Sequence, residues 1–275
     1  MISKSLKDTM QKKSLEQLLH ERIQLDLHLK TQLKKSILQE AIQGKLVPQD
    51  PNDEPAAALL HRIKTEKQRL VKNKKIKPDK NDSSIFKAPD GSFYEKLPDG
   101  STTCIDDQIP FDIPDTWQWV RLGSCITLLS GQDLDPSRYN SEGEGIPYMT
   151  GASNFVGDEL VVNRWTETPV SVSKKGSLLI TCKGTIGAMA FNNIGDIHIA
   201  RQIMAIESLG AIDLRYIRYF LEANIKAIEK KAKSMIPGIS REVLLNEMTP
   251  IPPLEEQARI VNNIEQAMAT IDTLQ

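Results

Sequence analysis

The sequence predicts an α+β protein in which a β-rich domain is flanked by long helices. Three observations carry this. Residues 14–43 contain no Gly or Pro and are built from good helix formers. From residue 111 to about 210, short Val/Ile/Leu runs alternate with clusters of Gly, Pro, Asn and Ser, the texture of many strands joined by loops. Residues 213–233 and 251–275 then return to helical spacing. The expected divisions are a helical region over 1–72, a linker over 73–110, the β-rich domain over 111–250 and a C-terminal helix over 251–275.

In the first helix Leu15, Leu18, Leu19 and Ile23, then Leu29, Leu33, Ile37 and Ala41, recur at steps of three and four, as an apolar seam requires. Leu25, Leu27 and Leu29 break the single stripe: either Leu27 is exposed, or the helix is gripped on more than one face. At ~1.5 Å per residue the rod is about 45 Å long, more than a small domain is wide. Gly44 ends it, and the prolines of Val47-Pro48-Gln49-Asp50-Pro51 force an extended passage. Asp53 is the expected N-cap of a second helix over about 55–72, with Ala56, Leu59, Leu60, Ile63 and Leu70 on its apolar side.

Within the linker, two Asp-Gly turns flank Phe93 and Tyr94 and predict a small hairpin. After the β-rich run, Asp213 is the candidate cap of the helix at 213–233, whose Leu214, Ile217, Leu221, Ile225 and Ile228 share one side. Pro252 and Pro253 open the last helix, Glu255 and Glu256 complement its dipole, and Ala258, Val261, Ile264, Ala267, Met268 and Ile271 form its apolar face.

The chain has 275 residues and is 40% apolar, enough for a real core, and its formal charge is -1. That charge is unevenly spread: basic residues gather in 62–80 and 226–241, whereas 242–275 is acidic, so local basic surface is available to a polyanion. Cys104, Cys125 and Cys182 stand far apart with no CxxC and no His at ligand spacing, which argues against a disulfide framework and a zinc site. No apolar run approaches a membrane span and no signal-peptide pattern follows Met1, so a reducing, cytoplasmic setting is expected.

The search for catalytic chemistry returns little. No GxxxxGK[ST] loop is present to cradle a nucleotide. Gly184-Thr185-Ile186-Gly187 joins two predicted strands, not a strand and a helix, which disfavours a dinucleotide or methyl-donor fold. Ile251-Pro252-Pro253-Leu254 lacks the amide and aromatic ring of an adenine methyltransferase loop. Glu229-Lys230-Lys231 is a chance match to a nuclease motif, on a helix far from the Pro-Asp pairs. His20, His28, His61 and His198 have no evident partners. No catalytic set, cofactor or metal is expected. What remains is polar: Lys183 beside the glycine turn, Arg201-Gln202 on the next strand, and a loop over 131–165 rich in Gln, Asn, Ser, Arg, Tyr and Trp. Such side chains donate to phosphates and base edges, although solvated loops have a similar composition.

Four segments together resemble one family. "LKKSILQEAIQGKLVPQDPNDEPAAALLHRIKTEK" (33–67) resembles the central conserved region of type I restriction–modification specificity subunits, and "IPFDIPDTWQWVRLG" (109–123) the entry to their target recognition domain. "KKGSLLITCKGTIG" (174–187) is similar to the glycine-turn hairpin of that domain, and "TPIPPLEEQARIV" (249–261) to the start of the second conserved helix. The resemblance implies a non-catalytic protein whose recognition domain reads one half of a split double-stranded DNA target through the major groove. Its two conserved helices would form an antiparallel spacer on which methyltransferase subunits dock and restriction subunits join. Full-length members carry two recognition domains, and this chain resembles the second half. It is therefore expected to pair with itself or a different half, helix 14–43 of one copy meeting helix 253–275 of the other through Leu29, Leu33, Ile37, Ala41, Val261, Ile264 and Met268. The DNA-facing candidates are Gln132, Arg138, Tyr139, Asn154, Arg164, Lys183, Arg201 and Gln202, divided between base edges and backbone. The alternative is an adaptor that binds the methyltransferase without useful DNA specificity.

Overall fold

The computed structural model describes residues 15–76, 82–232 and 238–274. Ser14, Lys233 and Gln275, and Lys77 and Lys80 of the basic run, lie outside the described residues. Two helices come first, α1 (Leu15–Ile42) and α2 (Ala56–Lys72). Three short strands follow, β1 (Ser84–Lys87), β2 (Phe93–Lys96) and β3 (Thr102–Cys104).

The β-rich part comprises β4 (Gln118–Arg121), β5 (Ile126–Ser130), β6 (Ile146–Met149), β7 (Phe155–Val156), β8 (Glu159–Leu160), β9 (Trp165–Thr166), β10 (Val172–Ser173), β11 (Leu178–Thr181), β12 (Met189–Phe191), β13 (Ile197–Ile199) and β14 (Ile203–Ser208). It is closed by α3 (Leu214–Ala232), a single-turn α4 (Arg241–Leu245), β15 (Met248–Ile251) and α5 (Leu254–Thr273).

At its centre lies an antiparallel sheet in the order β12-β11-β14-β5. Successive strand residues face opposite ways, so Leu178 and Ile180 of β11 enter a core shared with the helices, while Leu179 between them enters a second core with Met149, Ile197, Ile199 and Ile203. Being covered on both faces makes "LLIT" a continuous apolar run. The second core is roofed by a mixed sheet in the order β10-β13-β6-β9, in which β13 and β6 run parallel. Cys125 and Cys182 are buried free thiols and Cys104 is exposed; burial pushes Cys125 up to about 12.

Three expectations need correction. The 73–110 segment carries a three-stranded meander where one hairpin was predicted, because each Asp-Gly turn closes its own hairpin and β2 is shared between them. Its Ile85 and Ile105 bury against Trp119 of β4, so the segment is attached to the domain and is more than a linker. Asp53 does not cap α2, whose N-cap is Pro55; its carboxylate instead accepts from Arg259 Nη1 of α5 at 3.0 Å. The basic run is also not all surface: Lys67 is buried, donating to Asp82 at 2.9 Å and to the Gly123 carbonyl at 3.1 Å.

The fourth correction concerns the two long helices, which meet within one chain. Ala41, Ile42, Ile260, Val261 and Ile264 share the main core, with Ile37 and Met268 packed against it. Lys34 Nζ lies 2.6 Å from Asp272 Oδ1, so the end of α5 is level with the middle of α1. The seam expected between two copies is therefore satisfied in cis from Ile37 onward, because the short passage after Gly44 and the β4–β15 ladder bring both helices to the same side of the domain. Towards its N-terminus α1 runs on, with Leu18, Leu19, Ile23, Leu25, Leu27 and Leu29 all more than half exposed. Leu27 is thus exposed, together with leucines on either side of it.

Candidate nucleic-acid interface

The domain presents one polar face built from three loops: 131–140 after β5, 163–168 around β9, and 198–202 between β13 and β14. Each is pinned by backbone pairing. Gly131 begins the first loop where its N–H donates to Ile203 O at 3.1 Å; a Cβ there would stand 2.1 Å from the Ala200 carbonyl, so only glycine allows the approach. Gln132 N–H donates to Ile199 O at 2.9 Å, and Asn140 and Trp165 exchange backbone bonds at 2.9 and 3.0 Å. Between these anchors the side chains of Gln132 and Arg138 are exposed.

His198 fastens the loops from beneath. Fully buried, it offers Nδ1 to the N–H groups of Val170 and Ser171, at 3.3 and 3.1 Å, and its Nε2 donates to the Gln132 carbonyl at 2.9 Å. That pattern fixes the neutral Nε2–H tautomer. Burial pushes its pKa below the ordinary value, against the opposing pull of those backbone bonds. The ring packs 4.8 Å from Tyr148, Tyr148 lies 5.4 Å from Tyr139, and the Arg164 guanidinium caps the column 4.9 Å from the Tyr139 ring centre. Arg138 reaches across to Thr168, donating from Nε to Oγ1 at 3.0 Å and from Nη2 to the carbonyl at 2.7 Å. Arg201 Nε lies 2.7 Å from Asp133.

The eight DNA-facing candidates therefore separate. Gln132, Arg138, Tyr139, Arg164 and Arg201 gather on this face. Lys183 is exposed on the β11–β12 turn and, with Arg201, Lys231 and Arg241, lines an adjoining open groove of about 810 Å³. Gln202 is half-buried at the loop's edge, and its Oε1 is buried without a hydrogen-bond partner among the described residues. Asn154 is not on the face. It is fully buried, accepting from the Thr150 and Gly151 N–H groups at 2.8 and 3.3 Å and donating to Val161 O at 2.8 Å, so its amide holds a turn together. The glycine turn is a shaping device: Gly184 and Gly187 have φ of +72° and +86°, and a Cβ on Gly187 would stand 2.4 Å from Ile225 of α3.

Sequence reasoning missed His198, Tyr148 and Asp133. His198 lies between Ile197 and Ile199 on a strand, a setting that marks burial but not the loops it joins. Asp133 and Arg201 are 68 positions apart, and nothing local signals their pairing.

No group of three or more His, Cys, Asp or Glu positioned to hold a metal ion occurs among the described residues, and none of their helices is long and apolar enough to cross a membrane. The model for the type I restriction modification DNA specificity domain matches residues 114–275. The chain belongs to this family. It is 30% identical over 274 residues to the EcoAI type I restriction enzyme specificity subunit of Escherichia coli, a match covering 91% of this chain and 41% of that protein. The EcoEI specificity subunit of the same organism is 29% identical over 278 residues, with the same coverage. Among solved structures, the HsdS subunit from Thermoanaerobacter tengcongensis superposes with a TM-score of 0.54 at 29% identity, over 59% of this chain and 40% of that one. A chain from a structure describing complex assembly and conformational transition of the type I R-M system gives the same score and identity. As a specificity-family chain, this one spans about 41% of the length of the curated relatives it matches.

Proposed function

We propose that this chain is a sequence-reading subunit of a type I restriction–modification complex: it reads one half of a bipartite DNA target, docks the methyltransferase, and catalyses nothing by itself. The observation that carries this is the polar face of loops 131–140, 163–168 and 198–202. Its side chains are of the types that bond base edges and phosphates, and its backbone is held rigid by His198 and the aromatic column. Family membership and the likeness to the HsdS subunit support the same reading.

The two long helices form the spacer. Because the apolar side of α5 already packs against α1, we assign the exposed leucine stripe at the N-terminal end of α1 to another polypeptide. A methyltransferase subunit docks on the helical pair, the restriction subunit joins through it, and a second half-chain, of this or another sequence, pairs along the stripe. The setting is cytoplasmic, where the host DNA and the other subunits reside.

Selection from a randomised duplex library, with the full chain alone and with the methyltransferase subunit, tests the proposal. Enrichment of one short motif is the expected result. Co-purification with the methyltransferase but no enriched sequence would reduce the chain to an adaptor, and neither binding nor enrichment would overturn the reading.

A further inference from the structure

We infer that Arg164 reads a guanine, and that Tyr139 is the residue that positions it. The inference rests on the reading above and assigns a base to one side chain of the proposed face.

Among the described residues Arg164 is the one arginine whose guanidinium makes no hydrogen bond or ion pair. Its neighbours on the face are committed: Arg138 gives two bonds to Thr168, and Arg201 is paired with Asp133. Arg121, half-buried beside the meander, is paired with Glu95, and Arg218 with Glu222. These arginines are thus matched by acceptors whether exposed or half-buried, whereas Arg164 is exposed with its donors unused.

An exposed arginine without a bonded partner ordinarily extends into solvent; this one is packed on a ring. Its guanidinium lies 4.9 Å from the Tyr139 ring centre, an attractive cation–π contact, and Tyr139 rests on Tyr148, which rests on buried His198. Its backbone is fixed as well: Arg164 O accepts from Tyr148 N–H at 2.8 Å, and the next residue, Trp165, is bridged to Asn140, the residue after Tyr139. The guanidinium is therefore held over the ring before any ligand arrives. Guanine presents two acceptors, O6 and N7, side by side in the major groove, and a guanidinium edge matches both. A phosphate needs charge but no preset position, and Lys183 offers charge on a flexible stem at the groove nearby.

The test is duplex-library selection with the full chain, carrying the methyltransferase subunit if binding requires it, for wild type, Arg164→Ala, Arg164→Lys, Tyr139→Leu and Tyr139→Phe. Arg164 is exposed, and thermal melting of each variant confirms folding. Wild type should enrich guanine at one position. Arg164→Ala should lose that preference, on the order of 10- to 100-fold, with other positions unchanged. Arg164→Lys should lose it too, because an ammonium cannot make the paired contact. Tyr139→Phe should keep it and Tyr139→Leu relax it. If Arg164→Ala instead weakens every duplex alike while keeping the guanine, the side chain contacts phosphate and the assignment fails alone. A wild-type chain that enriches no sequence overturns this assignment together with the reading beneath it.

Discussion

Lys34 and Asp272, 238 positions apart, meet at 2.6 Å and mark the level at which α5 ends against α1. Below that level the two helices share a core with the domain; above it the leucines of α1 are exposed. The pair itself is largely exposed, so it reports the geometry and does little to hold it. Lys34→Ala should shift stability by less than about 1 kcal/mol. Ile264→Ala, which empties a fully buried site in the seam, should cost about 2–5 kcal/mol. Urea denaturation of the two variants checks the contrast, and equal losses would mean the seam is not the stabilising contact.

The stripe above the seam should behave in the opposite way. Leu18, Leu25 and Leu29 share one side of α1 and are 51%, 66% and 55% exposed, so replacing all three by Ser should leave the melting temperature of the isolated chain nearly unchanged. Covering each leucine is worth about 1.5–3 kcal/mol, so association through this stripe should be lost. Light scattering of the variant with and without the methyltransferase subunit reads both outcomes. Assembly at the wild-type level would place docking elsewhere.

His198 makes the polar face sensitive to acid. Its folded pKa lies below the ordinary 6.5, so the unfolded chain takes up the proton first. The contribution of the neutral ring is complete above about pH 6.5 and is lost as pH falls through that value toward the lower folded one. Protonation would also point an Nδ1–H at two backbone donors, with Arg138 nearby opposing the charge and Asp133 favouring it. Stability measured from about pH 7 to pH 5 should decline in wild type and decline less steeply in His198→Gln, whatever that substitution costs at neutrality. Parallel curves would remove His198 from the account.

The two glycines of the β11–β12 turn should differ. Both sit at positive φ, but a Cβ on Gly184 meets open space, whereas one on Gly187 meets Ile225 at 2.4 Å. Gly184→Ala should cost about 1–2 kcal/mol and Gly187→Ala about 2–4 kcal/mol, since only the second adds a clash in the packing against α3. Neither should change which sequence is selected, because the turn shapes the hairpin without reading. A changed motif in Gly184→Ala would bring the turn onto the DNA.

What the sequence revealed and what it hid follow from the range of each signal. Helical periodicity and turn chemistry are local, and they locate α1, α3, α5 and the paired strands around Gly184 and Gly187 from residue types alone. Polar composition pointed to Arg138, Tyr139 and Arg164 as a group, because a loop that must stay in water shows it in its residues. Asn154 misled for the same reason: an amide that satisfies a buried turn looks in sequence like one that faces solvent. The pairing of α1 with α5, of Asp53 with Arg259 and of Asp133 with Arg201 depends on where distant segments are carried by the sheets. A seam of leucines shows that a helix will be covered, not by which chain.

Amide hydrogen exchange on the full chain, with and without its selected duplex, tests the location of the reading face most directly. Slowed exchange within 131–140 and 163–168, with the exposed stripe of α1 unaffected, is the result this account requires. Protection confined to the β1–β3 meander or to α1, with those two loops unchanged, would contradict it.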